Sequence, residues 1–199
     1  MARPRATDYQ DKRRAILDSA AAVISDIGID KASMSRIASG GQLSKATLYH
    51  YYSGKDALIF DLVCVHLTEL DTELKLTDNP ALAPELRLQK LVERTLRFYK
   101  ETENYHKVQL NIAGVLAEEQ MKQVRIIERR IVKRFSALLS TINPKLAQDN
   151  KRLKPVTMSL FGMLNWAYTW FREDGELSRE DYAKMVTNLL LLGIQSIGD

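Results

Sequence analysis

Apolar residues recur every three or four positions along almost the whole chain, and runs of strict alternation are missing, so the pattern predicts helices and no sheet. Ile16, Ala20, Val23, Ile24 and Ile27 form one face of a first helix over about 9–27. Gly28 follows it directly and is a stop signal, because glycine takes the left-handed cap without strain. Ser33 is placed to cap a short second helix and Ser44 a third. Ser53 with Asp56 makes a capping box for a fourth, which Asp78-Asn79-Pro80 ends soon after Leu76. Pro84 opens a fifth helix that ends near Glu101, and a sixth covers about 105–116. Met121, Val124, Ile127, Ile131, Phe135, Leu138 and Ile142 line a long seventh, ended by Asn143-Pro144. The polar stretch 145–152 is expected to be a loop. Pro155 opens an eighth helix running to Arg172, and Asp174-Gly175 breaks it. Ser178 with Asp181 starts a last helix that reaches Ile197. The expectation is an all-α chain of about nine helices, with a small three-helix unit over 1–55, a larger bundle over 56–199, and the fourth helix linking them.

Residues 33–52 hold two short helices joined by a tight turn, and their faces divide cleanly. Met34, Ile37 and Ala38 are apolar on the first; Leu43, Leu48 and Tyr52 are apolar on the second. Both sets are placed to pack against Ile16, Ala20 and Val23. Lys45, Thr47, Tyr49 and His50 are left to point outward. A helix-turn-helix presents such residues to a DNA groove, the early ones to base edges and the flanking ones to phosphates. Lys45 can donate to guanine acceptors or to phosphate, and Thr47 to phosphate or against a thymine methyl. Tyr49 and His50 suit phosphate, and Lys55 would add its charge to the free amides of the fourth helix. A helical hairpin inside an unrelated bundle is the plainer reading of the same pattern.

Charge placement favours the DNA reading. The net charge is +4. Residues 1–55 hold nine basic and five acidic side chains and so carry all of it, while the remaining residues hold 20 of each sign. A positive end of this kind is the electrostatic footprint of phosphate binding. Arg3 and Arg5 have the charge and reach of a minor-groove arm; a disordered terminus is the alternative. Apolar residues make up 45% of the chain, enough for a real core. No apolar run is long enough to span a bilayer, and no apolar segment follows the charges of the first residues, so a cytoplasmic protein is expected. Cys64 stands alone and excludes an internal disulfide.

The residues Ala15-Ile16-Leu17, Ala20-Ala21, Gly28, Ser33, Ile37-Ala38, the run Leu43 to Tyr52, and Lys55-Asp56-Ala57-Leu58 resemble the TetR family of bacterial transcriptional regulators over about 12–59. The resemblance implies a homodimeric, all-helical repressor with a ligand-binding C-terminal body. Its DNA-contact positions fall on Ser33, Lys45, Thr47, Tyr49, His50 and Lys55. Two departures stand out. Gln42 occupies a turn position where the family usually has glycine, with Gly40 and Gly41 beside it, so the turn is open to a shift by one residue. Tyr52 stands where phenylalanine is usual, which adds a hydroxyl in need of a partner.

The last two predicted helices are apolar on nearly all sides, and one bundle face explains only half of that. A second copy of the chain would cover the rest, with Phe161, Trp170, Leu189, Leu192 and Ile194 as candidate interface residues; burial within one protomer is the alternative. Two-fold symmetry would then set two recognition helices about 34 Å apart, one turn of DNA. Phe98, Tyr99, Tyr105, Met121, Trp166 and Trp170 are candidates for a ligand pocket, although each would serve equally as ordinary core. Arg125, Arg129, Arg130, Lys133 and Arg134 make a basic flank on the seventh helix, suited to a solvated face paired with Glu118 and Glu128 or to the phosphates of a coenzyme A moiety. Residues 162–178 resemble a TetR subgroup that includes regulators of fatty-acid, sterol and aromatic-acid breakdown, which implies an acyl-CoA effector.

No catalytic or metal-binding constellation is seen. His50, His66 and His106 have no metal-ligand spacing with Cys64 or one another, and no phosphate loop, nucleophile elbow or catalytic carboxylate pair occurs. No cofactor is implied. The expected function is a dimeric DNA-binding repressor, not an enzyme, released from its double-stranded operator by a small molecule in the C-terminal bundle. A DNA-binding regulator without a ligand is the first alternative and a helical-bundle enzyme the second.

Overall fold

The computed structural model describes residues 4–148 and 151–196, with the side chains of residues 4–8 left aside. Among the described residues there are ten helices and no strand. They are α1 (Pro4–Ile27), α2 (Met34–Gly40), α3 (Lys45–Tyr51), α4 (Lys55–Thr77), α5 (Pro84–Glu101), α6 (Glu103–Leu110), α7 (Glu118–Ile142), α8 (Pro144–Gln148), α9 (Leu153–Trp170) and α10 (Arg179–Gln195). No helix among them is long and apolar enough to cross a membrane.

The all-helical expectation holds, with three local differences. The polar stretch after Ile142 contains an extra helical turn, α8. Asn143 starts it by accepting the Lys145 amide on its side chain at 2.9 Å, and the fully buried Leu146 anchors it. A single apolar residue cannot show a period, so a polar reading missed it. The sixth helix stops at Leu110, although Ile112 and Leu116 remain buried beyond it; Gly114 at φ 78 turns the chain while the apolar spacing continues. The first helix begins at Pro4, where a fixed φ suits the first helical position. Arg3, the side chain of Arg5 and Ile197 lie outside the described residues.

The chain forms two compact units, the first up to Leu67 with Thr102–Val124, the second Thr68–Glu101 with Arg125–Asp199. Helices α4 and α7 each contribute residues to both.

In the first unit α1 packs on α2 and α6. Ile16, Ala20, Ile37 and Leu48 are fully buried there and Val23 and Leu43 half-buried, on the faces predicted from spacing; Leu58 and Ile59 of α4 are fully buried with them. Gly28 takes φ 84 and donates to the Ile24 carbonyl at 2.9 Å, closing α1 as its residue type requires. His66 of α4 and His106 of α6 are also fully buried, their rings 6.0 Å apart. Burial first, then His106 and then Arg14, push the His66 imidazole down to about 3, so it is neutral at ordinary pH.

In the second unit α10 packs along α5, and α9 touches both. Leu88, Leu91, Val92 and Leu96 of α5 and Ala183, Val186 and Ile194 of α10 are all buried in this core. Phe135 and Phe161 meet edge to face at 5.1 Å, a geometry that suits the ring quadrupole. Arg179 donates to the Leu96 carbonyl at 3.2 Å and lies over the Phe171 ring at 4.8 Å, tying the start of α10 to the end of α5.

Candidate nucleic-acid interface

Helices α2 and α3 have seven residues each, too short to persist without help. Two serines supply the local part of it. Ser33 accepts the Arg36 amide at 3.2 Å, and Ser44 accepts the Thr47 amide at 2.9 Å. Each such cap contributes about 1 kcal/mol. Burial of Met34, Ile37 and Ala38 on α2 and of Leu48 on α3 supplies the rest.

The turn between them is a Schellman motif. Gln42 donates to the Ser39 carbonyl at 3.2 Å and Leu43 to the Ala38 carbonyl at 2.8 Å. The left-handed residue of that motif is Gln42, at φ 53. The turn is therefore not shifted onto the neighbouring glycines, which serve another purpose. A Cβ on Gly41 would stand 2.5 Å from Ser19 Oγ, and one on Gly40 2.6 Å from Val23 Cγ2. They are small because α1 passes directly against them, and Ser19 donates to the Ile37 carbonyl at 3.0 Å in the same place.

The far end of α3 is fixed by charge. Tyr52 donates its hydroxyl to Asp61 at 2.5 Å, and Arg13 binds the same carboxylate through Nε at 2.8 Å and Nη2 at 2.5 Å. The hydroxyl that distinguishes Tyr52 from phenylalanine thus has a partner. Burial and the carboxylate raise the phenol above its usual range, so it stays a donor. Asp61 links α1, α3 and α4, and apolar periodicity carries no sign of it. Tyr9 stacks on Tyr51 at 4.7 Å, a second tie that the spacing did not reveal.

What remains on the outer face of α3 is a row of polar groups. Lys45, Tyr49 and His50 are exposed, and Tyr49 is 54% so. Lys45 and Tyr49 are four residues apart and share a face. Thr47 is half-buried, with its hydroxyl 2.7 Å from Ser44 Oγ. Ser33 is exposed at the start of α2. Lys55 differs from expectation in detail: its ammonium donates to the Ile29 carbonyl at 2.9 Å, which fastens the start of α4 to the loop after α1 and leaves two protons for another acceptor.

Residues 16–62 match the bacterial regulatory proteins of the tetR family, and residues 81–194 match the tetracyclin repressor-like C-terminal domain. The chain belongs to the TetR family. It is a DNA-binding transcriptional regulator, and members of that family are not enzymes. A TetR-family transcriptional regulator from Bordetella parapertussis 12822 is similar in structure at a TM-score of 0.87 and 28% identity, over 96% of this chain and 100% of that one. AibR, solved in complex with isovaleryl coenzyme A and operator DNA, is similar at a TM-score of 0.79 and 23% identity, over 90% and 97% of the two chains. The fatty acid degradation regulator FadR from Bacillus halodurans is similar at 0.74 and 21%, over 92% and 96%. No curated protein matches the chain.

In the body of this TetR-family regulator the predicted residues separate. Tyr105 and Met121 lie in the first unit; Phe98, Tyr99, Trp166 and Trp170 lie in the second. Phe98, Tyr99 and Tyr105 are buried and Met121 half-buried, but Trp166 and Trp170 are 65% and 48% exposed on the protomer. Tyr105 donates to Asp18 at 2.6 Å, so its hydroxyl braces α6 against α1. The interface candidates also separate. Phe161 and Ile194 are buried within the protomer, whereas Leu189 and Leu192 are exposed with Trp170. Met158, Trp166 and Trp170 on α9, and Met185, Leu189 and Leu192 on α10, form two exposed apolar stripes at helical spacing.

Proposed function

We propose that this regulator is a cytoplasmic homodimeric repressor that holds a double-stranded operator and lets go when an acyl-CoA thioester binds its C-terminal bundle. Residues 1–55 are the reading head and 56–199 the effector and dimer body. Ser33, Lys45, Thr47, Tyr49, His50 and Lys55 contact the DNA; Phe98 and Tyr99, both buried in the second unit, are the pocket candidates that burial supports there.

The observation that carries the dimer is the pair of exposed stripes on α9 and α10. Six large apolar side chains at helical spacing exceed the scattered exposure normal for a monomer surface. An isologous contact through them gives two heads related by a two-fold axis, as a palindromic site one turn long requires. AibR, whose operator complex also holds isovaleryl coenzyme A, supports the effector class. Coupling requires that the effector favour a head spacing unlike that of the groove. Because α4 starts at Lys55 and runs through both units, a displacement of it in the body has a covalent route to the head.

Fluorescence anisotropy of a duplex selected for binding tests the reading. Acyl-CoA thioesters should lower operator affinity at least fivefold at saturation, with free coenzyme A and free fatty acids weaker. Operator affinity unmoved by any thioester would reject the effector assignment.

A further inference from the structure

The second unit contains a cleft of about 440 Å³ between the end of α4, the start of α5 and the middle of α7. Its charged lining is Arg87, Arg130, Lys133 and Arg134 against Asp71 and Asp78, four cations to two carboxylates and so a net charge of +2. The basic flank of α7 does not behave as a uniformly solvated face. Arg134 turns inward, its guanidinium 3.1 Å from Asp71 and 3.9 Å from Asp78. Arg87 holds Asp78 at 2.8 Å, and the exposed Arg130 reaches Asp71 only at 3.9 Å. Glu118 pairs with Lys122 instead. Lys133 is exposed and has no acid partner among the described residues.

Two features ask for an acceptor from outside. The Nε of Arg134 is buried and has no hydrogen-bond partner, a rare condition for a charged donor. The two carboxylates are already shared among three guanidiniums, and among the described residues neither the Lys133 ammonium nor Arg130 has a side-chain hydrogen bond to a protein oxygen. A carboxylate ligand would bring one charge and two oxygens, fewer than the surplus. A phosphate brings up to two charges and three or more acceptor oxygens, and guanidinium forks match it well.

We infer that this cleft is a binding site for the phosphate or pyrophosphate group of a small molecule, with Arg130, Lys133 and Arg134 as its donors. The inference deepens the effector reading and rests on it for the consequence at the operator, though not for the binding itself. A phosphate here competes with Asp71 and Asp78 for Arg134. Asp71 is on α4 and Asp78 directly follows it, so the ligand weakens the ion pairs that hold the end of α4 to α7. The site thus gives the charged part of an effector a purchase on the helix that also enters the reading unit.

Thermal shift on the full chain tests this, with millimolar inorganic pyrophosphate, coenzyme A, and sodium chloride at matched ionic strength. Pyrophosphate should raise the melting temperature by several degrees beyond the chloride control. The double variant Arg130→Ala/Lys133→Ala, which removes only exposed side chains, should lose at least half of that shift. No shift beyond chloride, or an equal shift in the variant, would overturn the site. A shift by coenzyme A as well assigns the cleft to a nucleotide-bearing effector; a shift by inorganic pyrophosphate alone keeps the phosphate site and removes the thioester from it. Operator binding without ligand, measured on the same samples, reports separately on the repressor reading: its failure leaves the cleft standing.

Discussion

Gln42 and Gly41 show how two adjacent residues can exchange their expected duties. The turn needs one left-handed residue, and Gln42 fills that place at φ 53. A side chain there costs about 1–2 kcal/mol. Glycine would remove that strain and lose about 0.5–1 kcal/mol of unfolded-state entropy. Gln42→Gly should therefore stabilise the protein by about 0.5–1 kcal/mol in urea titration. Gly41→Ala should destabilise it by about 1–3 kcal/mol, because the new methyl meets Ser19. The residue types of the turn were legible in the sequence; which of them carried the strain depended on how closely α1 passes. His66 contributes to the response to acid. Its folded pKa of about 3 lies below the ordinary 6.5, so the unfolded chain takes up a proton that the folded chain refuses. Its contribution is intact above pH 6.5 and is lost as pH falls toward 3, by about 1.4 kcal/mol per pH unit. His66→Leu should flatten the stability curve between pH 6 and 4 by about one proton, and an unchanged slope would place the acid sensitivity elsewhere.

At the scale of elements, helical spacing located nine helices and their inner faces, because burial acts on every third or fourth residue. It could not separate a face buried within the chain from one left exposed, since both are apolar. Ile194 and Leu192 make the distinction plain: the first is 1% exposed and the second 68%. Leu192→Asp should leave the monomer folded and halve the mass seen by light scattering. Ile194→Asp should unfold the second unit. A Leu192→Asp variant that keeps the dimer mass would remove the α9 and α10 stripes from the interface. Polar ties such as Asp61 with Arg13 and Tyr52 follow no period at all, and only the fold reveals them.

For the whole molecule, the family, the reading head and the outward row Lys45, Tyr49 and His50 could be read from motif and charge. The pocket candidates could not be told from core, because large core residues and ligand-lining residues are the same types, and the two tryptophans among them are exposed. Two weak heads joined by one interface should bind far more tightly than one, by about 10²–10⁴ in affinity. The claim on which the rest depends is that α3 reads DNA in pairs. Selection of binding duplexes from a random pool with the full chain tests it most directly. The expected result is an inverted repeat with half-sites about one helical turn apart, lost when Lys45 and Tyr49 are both changed to alanine. Enrichment of no sequence, of a single unrepeated half-site, or of the same repeat by the double variant would contradict it.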